Sequence, residues 1–386
     1  MKVVVAHNRY ASAQPSGENA VVEADIAELR AAGVEVLPLV RRSDEIATWS
    51  GLRRAASAGS PLYNGSAQRE LRALLRRHRP DVVHLHNPYP LISPWVVRTA
   101  RQHGVPVVQT VHNYRQVCVN GVFFRDGAGC TECVGRALPL PAVRHACYRG
   151  SRAQSAVMAA TLTVHRPTWH RVDRFLAPTA AIADHLHRAG IPAGRVTIKP
   201  NAVADPGPPA PPGDGFLFLG RLVPEKGLEL LLAAWALHPV GSLGLLRIAG
   251  DGPLRRMCTG VGRPDVVFLG SLDPAGVRAA VRDSAVIVVP SVWPDVLPTV
   301  ALEALAAGRP VLGTAMGGIP DAVGPAGWLV APTVPALAAA LPIARREAPA
   351  LAALARHRYL TTYHPTRITA QLIATYTALA PDGNHG

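Results

Sequence analysis

Residues Gly215–Gly227 read GFLFLGRLVPEKG. A short apolar run ends at Gly220, Arg221 stands at its carboxyl end, and Lys226 opens the next helical stretch. The run suits a strand buried on both faces. Two fixed cations beside a strand end and a helix N-terminus make a cradle for a diphosphate; a solvated loop carrying two charges is the plainer account. The composition favours the cradle. Of 40 basic residues only Lys2, Lys199 and Lys226 are lysine, and a lysine kept against such an arginine bias marks a point-charge site that Arg does not replace.

The same strand-then-helix unit recurs in both directions from this stretch. Upstream, Val-rich segments at Val3–His7, Val34–Val40, Val82–His86, Pro106–His112, Arg174–Pro178 and Val196–Pro200 alternate with helical stretches such as Gly17–Ala32 and Ala67–Arg79. Downstream, strand segments follow at Leu245–Ala249, Val266–Leu269, Ala285–Pro290, Pro310–Gly313 and Trp328–Val330, and Thr366–Leu379 reads as a closing helix. Such alternation predicts parallel sheets with helices on both faces. The segment Asp205–Gly213, DPGPPAPPG, is too stiff and donor-poor for a core element and reads as a linker. The expected organisation is a first domain over 1–204 with a Cys-rich insertion at 118–147, the linker at 205–213, a second domain over 214–365, and a closing helix and tail over 366–386. Two doubly wound sheets facing a central cleft would bind ligands beyond the carboxyl ends of their strands.

Length and composition narrow the function. The chain has 386 residues, 48% of them hydrophobic and 17% charged, which supports two cored domains and excludes a disordered chain. No apolar stretch is long and unbroken enough to span a membrane; Ala322–Ala344 is interrupted by Pro325, Pro332, Pro335 and Pro342. The start, MKVVVAHNRY, runs directly into a strand without a signal-peptide pattern, so a cytoplasmic protein is expected. The formal charge of +14 favours an anionic partner, but aromatics are only 5% and no nucleic-acid module is present, so nucleic acid is not expected. Arg-rich segments such as Arg69–Arg79 offer peripheral contact with an anionic inner-membrane surface; a solvated helix face is the blander account. The dinucleotide fingerprint, the P-loop, the nucleophile elbow and the Asp-X-Asp metal clamp are all missing from the sequence.

Further chemistry gathers at strand ends. In PSVWPDVLPTVALEALAAGRPV, Asp295 falls just before a helix and Glu303 inside it, with Pro298 placed to be the first helical residue. Paired carboxylates accept hydrogen bonds from sugar hydroxyls. Met316-Gly317-Gly318 and Gly250-Asp251-Gly252 are turns whose glycines allow close backbone approach to a ligand, or plain tight turns. Gly17, in PSGEN after the first strand, can offer its N–H to a phosphate. His112 ends one strand, and His84 and His86 end another; packed histidines are the commoner outcome, but a strand carboxyl end raises His112 above that expectation.

Taken in order, GRLVPEKG, IAGDGPL, PSVWPDVLPTVALEALAAGRPVL and MGGIPDAV, with PSGEN, TVHN and IKPNAV in the first half, resemble the retaining GT-B glycosyltransferases of family 4. The resemblance implies a GT-B α/β fold of two Rossmann-like domains, with 1–204 on the acceptor side, 214–365 binding the nucleotide-sugar and the helix and tail 366–386 packing back on the first domain, and transfer of a sugar from a nucleotide-sugar donor (UDP-, GDP- or another) to a saccharide, lipid-linked or small-molecule acceptor. It implies retention of configuration, with no metal cofactor required. By resemblance Arg221 and Lys226 hold the diphosphate and Glu303 the ribose. Asp295 touches the donor sugar, His112 lines the reacting sugar, and Gly17, Gly250, Gly270, Leu297 and Thr299 complete the donor site. The acceptor would lie near His84, His86, Asn87, Tyr89 and Asn113. One departure stands out: the family's Glu-x7-Glu is here Asp295-x7-Glu303, one methylene shorter at its first carboxylate. Alternative readings are a sugar-nucleotide epimerase or phosphorylase on the same fold, and a non-catalytic anion- or nucleic-acid-binding protein.

Four of the five cysteines, Cys118, Cys130, Cys133 and Cys147, cluster in a Gly- and Arg-rich insertion. A central CxxC with two outlying thiols is compatible with a structural zinc, with reduced, partly buried thiols, and with a disulfide pair.

Overall fold

The computed structural model describes the whole chain except residues 13–15, 52–56, 212, 261 and 381–386. Pro15, Pro212 and the last part of the expected tail therefore lie outside the described residues. Each strand expected from the sequence is present, its ends moved by one or two residues. The chain divides into two compact units: Met1–Phe123, Cys130–Lys199 and Ile368–Gly386 form the first, and Phe124–Gly129 with Pro200–Arg367 the second.

The first unit is built on β1 (Lys2–Arg9), β2 (Glu35–Arg42), β3 (Val82–Leu85), β4 (Val107–Thr110), β5 (Arg174–Ala177) and β6 (Val196–Ile198). They form one parallel sheet in the order β2-β1-β3-β4-β5-β6. β3 and β4 are buried along their whole length, and each opens on a pair of valines rather than alternating apolar with polar residues. Val3, Val5, Val82 and Val108 pack with Val22 and Leu29 of the helix Gly17–Ala31 and with Leu372 and Tyr376. The order reverses between β1 and β3, so the carboxyl ends of these strands are where such a sheet leaves room for a ligand.

Two polar features lie inside this unit. Lys199 Nζ meets Asp25 Oδ2 at 3.2 Å, the side chains 0% and 6% exposed. His84, fully buried, places Nε2 2.8 Å from Thr110 Oγ1 and Nδ1 2.6 Å from the Tyr376 hydroxyl.

The second unit carries β7 (Phe216–Leu219), β8 (Leu246–Ala249), β9 (Val266–Gly270), β10 (Val286–Val289), β11 (Val311–Thr314) and β12 (Gly327–Val330). All pair in parallel, in the order β9-β8-β7-β10-β11-β12. Both faces are covered. Phe216 and Phe218 join one apolar layer with Trp235 and Leu341, while Leu217 between them joins the other with Leu302, Leu305 and Tyr359. The reversal here falls between β7 and β10.

The proline-rich Asp205–Gly213 is tied to this unit. The buried Arg309 donates from Nη1 and Nη2 to Ala210 O (3.1 and 3.2 Å) and from Nη2 to Pro211 O (2.9 Å). Arg356 clasps Asp205 through both carboxylate oxygens at 2.8 and 2.9 Å. Prolines have no N–H with which to pair in a sheet, so arginine donors supply the partners for the neighbouring carbonyls. No described helix is long and apolar enough to cross a membrane.

Two predictions follow from the buried polar groups. Lys199→Met leaves Asp25 buried without its partner and should cost about 3–5 kcal/mol in denaturant unfolding, with Asp25→Asn added to it recovering most of the loss. Burial also lowers six histidines of the first unit: His7, His165 and His185 to about 4, His112 to about 3, and His84 and His86 well below 6.5. The unfolded chain takes up these protons below about pH 6.5 and the folded chain does not. Stability should therefore be complete above that pH and fall as pH drops towards 4. Unfolding midpoints measured at pH 7, 6, 5 and 4 should show this decline.

Candidate functional site

In the second unit, the loops after β7 and β10 meet at the sheet's reversal point. Gly227 closes the GRLVPEKG turn with φ +74°, and a Cβ there would come 1.9 Å from Pro290 O. Val292 N donates to Glu225 O at 3.0 Å. This contact sets Lys226 against Asp295, Nζ to Oδ2 2.5 Å. The same oxygen accepts from Ser291 Oγ at 3.3 Å, and Ser291 O is held by Thr314 Oγ1 at 2.6 Å. The Lys226 ammonium also lies 5.4 Å from the centre of the Trp293 ring, a favourable position for a cation. Asp295 is 5% exposed, with Oδ1 left to accept from a further donor.

Arg221 stands on the same loop as Lys226, paired with Glu225 at 3.6 Å. Glu303 sits in the helix Thr299–Ala306; burial raises its carboxyl above the ordinary range. Pro298 is the cap of that helix, extended with ψ 115°, and Thr299 is its first residue. The expected helix start therefore moves by one position, because Pro298 keeps the extended conformation of the loop.

The glycine turns have a specific geometric cause. Gly317 (φ +54°) lies so close to Pro294–Asp295 that a Cβ would fall 2.3 Å from Asp295 O, and Gly318 N donates to that oxygen at 2.6 Å. A Cβ on Gly250 would fall 1.8 Å from Gly220 O. Here the glycines let one loop backbone lie on another and so shape the strand ends. Leu297 is part of the apolar layer, and Gly270 has open space around its Cα.

In the first unit, the segments after β3 and β4 surround a small polar pocket lined in part by His86, Tyr89, Gln109, Arg115, Gln116 and Trp169. Among the described residues, His86 Nε2, Tyr89 OH, Gln109 Oε1, Arg115 Nε, Gln116 Oε1 and Trp169 Nε1 are buried without a hydrogen-bond partner. Buried polar atoms are normally paired. An unpaired set of donors and acceptors around one pocket suits a ligand, or waters, with several hydroxyl groups.

His86 Nδ1 lies 2.9 Å from His112 Nε2, with the rings stacked at 5.2 Å. Burial is the main reason both are held neutral, so one ring donates to the other. A neutral His112 is a hydrogen-bonding group for a hydroxyl and a poor proton acceptor. Glu18 accepts from Tyr10 OH at 3.2 Å; burial raises its carboxyl to about 7 against the opposing pull of Arg115 and of hydrogen bonds from Tyr10 and Asn113. Gly17, the first residue of the helix Gly17–Ala31, precedes it.

Of the acceptor-side residues expected from sequence, His86, Asn87, Tyr89 and Asn113 line the pocket. Asn87 is occupied by the backbone, donating to Asn8 O and accepting from Tyr89 N, each at 3.0 Å. His84, with both ring nitrogens engaged, belongs to the core. Sequence reasoning passed over Arg115, Gln116, Trp169, Ser291 and Trp293. Arg115 is hidden among the many arginines, although its place three residues after His112 is a signal. With their side chains as they stand, no group of three or more His, Cys, Asp or Glu among the described residues is placed to hold a metal ion.

Comparison with known proteins fits this geometry. Residues 16–202 match the family model described as Glycosyl transferase 4-like domain, and residues 213–343 match Glycosyl transferases group 1. The chain belongs to this glycosyltransferase family. It is 32% identical over 263 residues to a GDP-mannose-dependent alpha-mannosyltransferase of Mycolicibacterium smegmatis, a match that spans 65% of this chain and 60% of that protein. The fold is GT-B. The sucrose-phosphate synthase of Thermosynechococcus elongatus superposes with a TM-score of 0.72 at 21% identity over 98% of each chain. HepE of Anabaena, in complex with UDP-glucose, superposes with a TM-score of 0.67 at 15% identity over 98% of this chain and 100% of that one.

The neutral pair His86–His112 gives a direct prediction. The ring signals of both residues in heteronuclear NMR spectra should not move between pH 8 and pH 5. A titration of His112 near pH 6.5, the unperturbed value, would show that the ring is charged in the working range.

Proposed function

We propose that the protein transfers a sugar from a nucleotide-sugar donor to a hydroxyl of a saccharide, lipid-linked or small-molecule acceptor, with retention of anomeric configuration. The observation that carries this reading is the Lys226–Asp295 contact at the reversal of the second sheet, with Arg221 on the same loop and Glu303 in the following helix. Cations beside carboxylates at such a point suit the two ends of a nucleotide-sugar, its diphosphate and its hydroxyls.

In the reaction the acceptor oxygen bonds to the anomeric carbon as the carbon–oxygen bond to the diphosphate breaks. The nucleoside diphosphate leaves with the electron pair, and the acceptor's proton passes to a departing phosphate oxygen on the same face. Charge builds on the leaving diphosphate through an oxocarbenium-like transition state. Arg221 and Lys226 stabilise that charge, the largest electrostatic demand of the step, and do so in the place that a bound divalent metal takes in Asp-X-Asp enzymes. Glu303 accepts from the ribose hydroxyls and Asp295 from the sugar, while neutral His112 holds a sugar hydroxyl. The pocket of the first unit receives the acceptor. The mannosyltransferase relative favours GDP as the leaving group and the HepE complex favours UDP.

A thermal-shift panel of UDP, GDP, ADP and dTDP tests the donor site. One diphosphate at about 100 times its dissociation constant should add roughly 2.7 kcal/mol, with or without Mg²⁺. Arg221→Ala and Lys226→Ala should abolish the shift and lower turnover of the matching nucleotide-sugar by about 10²–10³-fold. NMR of the product's anomeric proton should show the donor's configuration. Equal weak shifts from all four nucleotides, lost on adding salt, would show general anion binding and overturn the reading.

A further inference from the structure

One charged side chain in the pocket of the first unit has no part in the proposed reaction. Arg115 follows β4 and lines that pocket together with Tyr89 and Trp169. Its backbone is pinned: Arg115 N donates to Asn113 Oδ1 at 3.1 Å, and Tyr114 N to Gly121 O at 3.0 Å. Gly121 (φ +81°) closes this turn, and a Cβ there would fall 2.8 Å from Arg115 Cγ and 3.2 Å from Nε. Glycine at this position makes room for the arginine stem. On another side the Tyr10 ring centre lies 5.9 Å from the guanidinium carbon. The loop itself thus fixes where the guanidinium stands.

Its surroundings leave it short of both a hydrogen-bond partner and a counter-charge. Arg115 Nε is buried without a partner, as are Trp169 Nε1 and Tyr89 OH on the same lining. An arginine Nε and an indole nitrogen can only donate, so these two need an acceptor. Charge narrows the choice of acceptor. The carboxyl that acts on Arg115 is that of Glu18, which already accepts from Tyr10 OH at 3.2 Å. Burial raises this carboxyl to about 7, so at neutral pH it offsets only part of the guanidinium charge. A charge drawn out of water and incompletely matched is costly. An ionised phosphate or carboxylate answers both deficits, because its oxygens accept and are negative. Gln109 Oε1 and Gln116 Oε1, also unpaired on this lining, suit hydroxyl donors beside the anion.

We propose that Arg115 binds an anionic group of the acceptor, with Trp169 and Tyr89 as further donors, so that the acceptor is a polyhydroxy compound bearing a phosphate or carboxylate. This rests on the transferase reading only in calling the ligand an acceptor. Arginine suits the task because its planar fork matches the oxygens of such a group, which a lysine meets only as a point charge. The anionic group then selects the acceptor and sets its orientation, while the hydroxyl that reacts lies elsewhere on the same molecule.

The test is a titration of the full chain with inorganic phosphate, followed by heteronuclear NMR at an ionic strength held constant with chloride. The Trp169 indole N–H and Arg115 Nε–H signals should shift together and saturate with phosphate, and stay still with chloride. Arg115→Gln should weaken phosphate binding at least about tenfold, and Arg115→Lys should recover part of it. Arg221→Ala with Lys226→Ala should leave the Trp169 response intact, which separates this site from that of the second unit. Should Arg115→Gln not fold, the two wild-type signals still decide. Glycerol phosphate and glycerate should move them at concentrations at least about tenfold lower than glycerol does. A short-chain phosphatidylglycerol then distinguishes the sources: binding tighter than that of glycerol phosphate points to a lipid headgroup, and weaker binding to a free ester. Wild-type signals that stay still, or that move equally with chloride or glycerol, would overturn the proposal even where one nucleotide binds selectively in the thermal-shift panel. An Arg115-dependent response in a chain that selects no nucleotide would uphold the anion site and overturn the transferase reading instead.

Discussion

The contact between Lys226 and Asp295 is the constraint around which the second unit is arranged. It joins the loop after β7 to the loop after β10, the two places where the parallel sheet changes direction. A short ammonium–carboxylate contact requires both backbones to be held close. Gly227 against Pro290 and Gly317 against Asp295 allow that approach, since a side chain at either position would collide with a carbonyl. Ser291 and Thr314 then fix the carboxylate from behind. Within this unit, charge, backbone and sheet topology agree on one location.

The first unit handles polarity differently. Its pocket is lined in part by groups kept neutral by burial, His86 and His112 among them, while the fully buried Lys199 is matched by Asp25. Neutral groups with unpaired donors and acceptors suit hydroxyls, and the Arg115 guanidinium adds a positive charge to the same lining. The two units thus differ in chemistry: a cation held against a carboxylate at the strand ends of one, buried neutral hydrogen-bonding groups at the strand ends of the other.

The fold was legible because its strands are buried on both faces, which writes them as Val-, Leu- and Phe-rich runs bounded by glycine and proline. Two of the cations were conspicuous because lysine is rare here: Lys226 stands against Asp295 at the reversal of the second sheet, and Lys199 in a buried ion pair. Other parts were hidden for physical reasons. Arg115 resembles any other arginine until the fold carries it beside Glu18 and Tyr89. The turn glycines suggested approach to a ligand, whereas their closest neighbours are other loop backbones. His84 has the same sequence setting as His86, yet only a tyrosine 292 positions away shows that it is a core residue. The proline-rich segment had the composition of a free linker, but its carbonyls are held by Arg309, whose partners lie about a hundred residues earlier in the chain.

That distant tyrosine bears on how the molecule is made. Tyr376 and Leu372 pack among the residues of the first sheet, next to β1 and the helix that follows it. During synthesis the ribosome delivers β1 early and this last piece of its core only after the second unit has been made. The second unit, continuous in sequence apart from one six-residue segment, has nearly all its parts in order of appearance. The first must wait with an apolar groove uncovered. The nascent chain therefore finishes its first domain last, and that groove is the surface a holding chaperone would meet.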